Sequence, residues 1–121
     1  MSDNKLLDLS FDFAVAIVNL IDGVTAPKSS YMTDQLARAG TSVGANIHEA
    51  QYAHSKKDFI AKLEIALKEA NETMGWLILL KNKGCITEKA YVSMSSDCNE
   101  LIAMLVSSVN TSKKNQQIII K

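Results

Sequence analysis

The sequence predicts an all-α protein, an antiparallel up-down-up-down four-helix bundle. Three observations lead there. Four segments place apolar residues at alternating steps of three and four, the spacing that gathers them on one face of an α-helix. No segment sustains the every-other-residue alternation of a strand. A single proline and five glycines give few turn signals, so elements are long and connections short. Short connections between long helices make neighbours antiparallel.

The 121 residues form one domain, large enough to bury a core without a disulfide or metal staple. The first helix is expected from Asp3 to Asp22, with Leu6, Leu9, Phe13, Ala16 and Leu20 as its stripe and Gly23 as its stop. The second is expected from Ser30 to Ala53. Pro27 and the pair Ser29–Ser30 mark its approach, with serine as the cap. Its stripe is Met32, Leu36, Ala39, Val43, Ile47 and Ala50. The third begins at Ser55-Lys56-Lys57-Asp58, a serine followed three residues later by an acid, as in a capping box. Ile60, Leu63, Leu67, Ala70, Met74 and Leu77 line it, and Lys81, Lys83 and Gly84 close it. The fourth opens at Thr87 with Glu88 in its first turn, carries Tyr91, Met94, Cys98, Leu101 and Leu105, and fades around Asn110. The bundle is therefore placed at residues 1–112, and 113–121, ending in QQIIIK, is expected to be a disordered tail.

Two helices carry apolar residues beside the main stripe. They are Leu7, Ala14, Ile17 and Ile21 on the first, and Phe59, Ala66, Trp76 and Leu80 on the third. Such breadth fits either a wide core or a second burial surface for self-association; the second is favoured, since a monomeric bundle keeps one wet face per helix.

Composition narrows the function classes. Thirteen basic residues balance thirteen acidic ones, so the chain lacks the basic excess of a dedicated nucleic-acid binder. The balance is uneven: Asp3, Asp8, Asp12 and Asp22 make the first helix acidic, while six lysines make the third basic. Cys85 and Cys98 form no CxxC, and Cys98 sits in phase with its stripe as a buried free thiol. The N-terminus does not resemble a signal peptide and runs such as Trp76–Leu80 are too short to span a bilayer, so a cytoplasmic protein with no membrane partner is expected.

Chemistry-bearing motifs are sparse. Residues 40–54, GTSVGANIHEAQYAH, suggest first a phosphate loop and then a zinc helix. A phosphate loop needs a preceding strand and a lysine followed by Ser/Thr, and both are missing. A zinc helix needs histidines at i and i+4. His48 and His54 are six apart, roughly 120° around a helix, and cannot share a metal within one. Gly40 and Gly44 lie one turn apart and cost about 1 kcal/mol each against alanine; close helix packing is the favoured compensation, a hinge or ligand contact the alternative. Asn46 beside the stripe suggests a register-fixing amide. Asp34 with Arg38 and Glu64 with Lys68 suggest i,i+4 ion pairs. No catalytic constellation, cofactor, metal or small-molecule substrate is expected.

The run TDQLARAGTSVGANIHEAQ (33–51) followed by SKKDFIAKLEIALKEANET (55–73) resembles the bacterial four-helix bundle proteins related to the protein encoded in 23S rRNA intervening sequences. The matching positions include Arg38, Asn46, Glu49, Lys57-Asp58-Phe59 and Trp76, and the likeness extends over roughly residues 10–110. It implies an antiparallel bundle assembled as a homopentamer. A relative, the accessory variability determinant of diversity-generating retroelements, is implied to form such a pentamer, to work beside a reverse transcriptase and to bind nucleic acid. This chain departs from that relative in being neutral and in carrying Met74-Gly75 before Trp76. The expected function is a non-enzymatic oligomeric scaffold that binds RNA, DNA or a protein such as a reverse transcriptase; the alternative is an RNA-processing or metal-dependent enzyme with a site between subunits. Lys56, Lys57, Lys62, Lys113 and Lys114 are the candidate phosphate contacts. Arg38, Gly40, Gly44, Asn46, Glu49 and Trp76 are the candidate packing and interface signature, with Arg38, Asn46 and Glu49 expected in one polar network.

Overall fold

The computed structural model describes residues 2–24 and 30–120, with side chains for 5–24 and 30–116. Four helices follow one another: α1 (Ser2–Asp22), α2 (Ser30–Ala50), α3 (Lys56–Asn82) and α4 (Glu88–Ile120), with no strand among the described residues. Each packs on two neighbours, α1 on α2, α2 on α3, α3 on α4 and α4 back on α1, which leaves α1 and α3 on one diagonal. Pro27 and Ser29 lie outside the described residues.

The helix ends follow local chemistry. The Ser55 hydroxyl accepts the Asp58 N–H at 3.0 Å and the Thr87 hydroxyl accepts the Ala90 N–H at 3.0 Å, capping α3 and α4. At the end of α3, Gly84 N–H bonds Lys81 O and Cys85 N–H bonds Leu80 O, a Schellman closure with Gly84 at φ +74°. α2 stops at Ala50, three residues early. Gln51, Tyr52 and Ala53 bond the carbonyls of His48, Glu49 and Ala50, so the last turn tightens rather than continuing.

The core lies between the four helices. Leu36, Val43 and Ile47 of α2 meet Leu63, Leu77 and Leu80 of α3 and Cys98, Leu101 and Leu105 of α4, all buried. The residues expected to form a second surface are largely core. Ala14, Ile17, Ala66 and Leu80 are buried, and Leu7, Ile21, Phe59 and Trp76 pack against the cluster half-buried. α1 is rotated from the expected stripe: Ser10 and Ile17 face inward, and Leu9, Ala16 and Leu20 are half-buried. Serine hides this face from an apolar count. Ser10 is fully buried because its hydroxyl donates to Leu7 O at 2.6 Å, and Thr73 does the same to Glu69 O at 2.7 Å.

α4 also departs from expectation. It does not fade at Asn110 but runs to Ile120, so the segment expected to be a disordered tail is helix through that residue. Val109 and Ser112 extend the inward stripe after Leu105, again with a serine that apolar spacing does not count. The side chains of Ile118–Ile120 lie outside the described residues.

Gly40 and Gly44 set the α1–α2 spacing. A Cβ at Gly40 would stand 3.1 Å from both γ-carbons of Ile17, and one at Gly44 3.2 Å from Ser10 Oγ and 3.4 Å from the Phe11 ring. Ile17 is fully buried and β-branched, so it has nowhere to turn. At Gly75 of α3, by contrast, a Cβ would meet nothing within 4 Å. Gly40→Leu is therefore expected to destabilise the fold by about 2–3 kcal/mol through overpacking, and Gly75→Ala to stabilise it by about 1 kcal/mol through helix propensity alone. Urea unfolding of the two variants against the wild type checks both signs.

Cys98 is buried with its thiol donating to Ala70 O at 3.3 Å. Burial, with a smaller contribution from the Asp97 carboxylate, pushes the thiol up to about 12. Cys85 is half-exposed. A thiol-specific disulfide reagent at pH 8 is expected to modify Cys85 alone in the native protein, and Cys98 only after unfolding. Rapid modification of both in native buffer would contradict this burial.

Candidate nucleic-acid interface

The candidate lysines gather at one end of the bundle, where α2 ends, α3 begins and α4 leaves. Lys56 and Lys57 occupy the first turn of α3, held in place by the Ser55 cap. Cations there add to the positive end of the helix dipole rather than offsetting it, so this helix start favours anions. Lys56 Nζ lies over the Phe59 ring, 5.3 Å from its centroid. Lys62 Nζ stands 3.6 Å from Glu49 Oε1, and Lys113 Nζ 2.8 Å from Glu64 Oε2. Both pairs are solvent-accessible, and exposed pairs contribute about 0–1 kcal/mol, so a phosphate can compete for these cations. Lys57 and Lys114 are exposed. Glu64 thus pairs with α4, not with Lys68 as expected.

The expected network of Arg38, Asn46 and Glu49 divides. Arg38 does not use Asp34. Its Nε donates to Gln35 Oε1 at 3.1 Å, its Nη1 to Glu69 Oε2 at 3.1 Å, and its Nη2 to Glu72 Oε2. The Trp76 indole N–H donates to the same Glu72 oxygen at 3.0 Å, and Tyr31 meets the Trp76 ring edge-on at 5.9 Å. Arg38 and Trp76 therefore belong to one α2–α3 bridge, completed by the carboxylates of Glu69 and Glu72, which apolar spacing does not single out. Glu69, Glu72 and Trp76 step by three and four along α3, which was the signal available. Asn46 lies outside the bridge. Its Nδ2 donates to Ser42 O, 2.9 Å away on its own helix, so it does not fix register between helices. Among the described residues, Glu49 pairs with Lys62.

The histidines need a second correction. The 120° separation assumed a helix through His54, whereas the turn after Ala50 frees His54 from that geometry. His48 stands edge-on to Phe11 at 6.3 Å and tilted against Tyr52 at 5.3 Å. His48, Glu49, His54 and Asp58 border an open hollow of about 440 Å³. No three His, Cys, Asp or Glu side chains among the described residues converge as a metal-ligand set. Among the same residues, no helix is long and apolar enough to cross a membrane.

This architecture has counterparts. A crystal structure of a protein of unknown function from the S23 ribosomal protein family of Bacteroides thetaiotaomicron is 47% identical in sequence and superposes with a TM-score of 0.86. The match covers 91% of this chain and 99% of that one. No curated protein matches the chain. The model of the 23S rRNA-intervening sequence protein family matches residues 2–107, nearly the whole bundle. The chain belongs to the 23S rRNA-intervening sequence protein family.

Proposed function

We propose that the protein is a non-enzymatic cytoplasmic scaffold, a homopentamer of up-down-up-down bundles, whose lysine-rich end contacts nucleic acid. The topology reading rests on paired positions. Gly40 with Ile17 and Gly44 with Ser10, Arg38 with Glu69 and Glu49 with Lys62, and Glu64 with Lys113 and Lys81 with Glu88 each match rising numbers on one helix with falling numbers on the next. The observation that carries the binding reading is the gathering of Lys56, Lys57, Lys62, Lys113 and Lys114 at one end, against Glu49, Asp58 and Glu64. In one neutral chain that excess is small. Repetition around a symmetry axis multiplies it, because linked weak contacts act at high effective concentration. A protein partner such as a reverse transcriptase is the other macromolecule this scaffold would serve.

Light scattering is expected to give five times the 13.2 kDa chain mass. Changing Lys56, Lys57 and Lys114 together to Glu is expected to weaken binding of a structured RNA at least tenfold and to flatten its salt dependence. An unchanged affinity would move the contact elsewhere. An RNA-processing or metal-dependent enzyme with a site between subunits is the second reading, in which the hollow bordered by His48, Glu49, His54 and Asp58 would be a half-site that a second copy completes. RNA cleavage abolished by a chelator and restored by a divalent cation would establish it over the scaffold.

A further inference from the structure

Six of the exposed large apolar side chains fall into two groups, with Tyr31, Tyr52, Ile65 and Val106 exposed elsewhere. On α1, Phe11, Val15 and Val18 are 45%, 61% and 42% exposed. Asp8 and Asp22, also exposed, extend the same line at steps of three and four, so the strip has a carboxylate at each end. The second strip is Ile78 and Leu79 of α3 with Val92 of α4, which are 41%, 47% and 55% exposed. It lies around Lys81, whose Nζ is 3.6 Å from Glu88, and Lys83 and Lys89 stand exposed beside it.

α1 and α3 occupy one diagonal of the bundle, so a single chain cannot bring the two strips together. Each is covered only from outside. We propose that the Phe11–Val15–Val18 strip of one copy packs on the Ile78–Leu79–Val92 strip of a second copy of this chain. The chemistry matches in both parts: apolar centre meets apolar centre, and an acid-ended strip meets a lysine-flanked one. The two patches differ, so the contact is heterologous, and such contacts repeat until rotation closes a ring. This rests on the oligomer reading above and names the surfaces that would build it.

The test uses Val15→Lys and Leu79→Lys, each checked by circular dichroism for an unchanged helical fold. Each variant alone is expected to run in light scattering as a single 13.2 kDa chain. Mixed in equal amounts they are expected to form a dimer and nothing larger, because the mixture holds one intact strip of each kind. Retention of the wild-type mass by either variant overturns the proposal, as does a mixture that stays monomeric. If a lysine unfolds the chain, Val15→Ser and Leu79→Ser take its place, with at least a tenfold rise in dissociation constant expected and no change overturning the proposal. A wild type that is itself monomeric is a separate result, and removes the oligomer reading beneath.

Discussion

The close approach of α1 to α2 over Gly40 is the contact on which the rest of the bundle depends. With no side chain at that position, Ile17 packs so close to α2 that an added Cβ would stand 3.1 Å from its γ-carbons and force a shift. α1 packs more extensively on α2 than on α4. The seam with α4 is left correspondingly loose, and hollows of about 410, 150 and 270 Å³ lie along it, beside Lys5 and Met104, Asp12 and Glu100, and Leu20 and Ile86. The rotation that turns Ser10 inward and leaves Phe11 partly exposed belongs to the same adjustment.

The four helices were legible because their signals are local. Ser55, Thr87 and Gly84 act within four residues of themselves, and apolar spacing marks each stripe without reference to any partner. What escaped was what depends on a facing helix. The rotation of α1 is set by Gly40 on another helix. The length of α4 is marked by Ser112, whose burial no hydropathy count records. Arg38 offered Asp34 at the favourable spacing, yet Glu69 and Glu72 of α3 win because two carboxylates can hold a guanidinium from both sides. Asn46 shows the opposite: its amide donates to a carbonyl of its own helix. The five lysines were grouped as candidate phosphate contacts without a common place; their meeting at one end follows from the order in which the helices pack.

Electroneutrality conceals a polarised surface. α1 displays Asp8, Asp12 and Asp22, while Lys56, Lys57 and Lys62 stand at the start of α3 and Lys81 and Lys83 at its end. A total charge near zero weakens long-range attraction to a polyanion, yet leaves short-range complementarity between unlike faces intact. That balance is compatible with the self-association proposed above.

The bridge between α2 and α3 has an optical consequence. Trp76 is the chain's one tryptophan, and its indole shares a carboxylate oxygen with Arg38 while Tyr31 abuts its ring. Leu79, in the strip assigned to a neighbouring copy, lies three residues further along the same helix. The tryptophan emission of the protein therefore originates at a single junction, between the ion bridge that ties two helices and the surface where another chain would arrive. Its emission is a built-in reporter of both, with no label required.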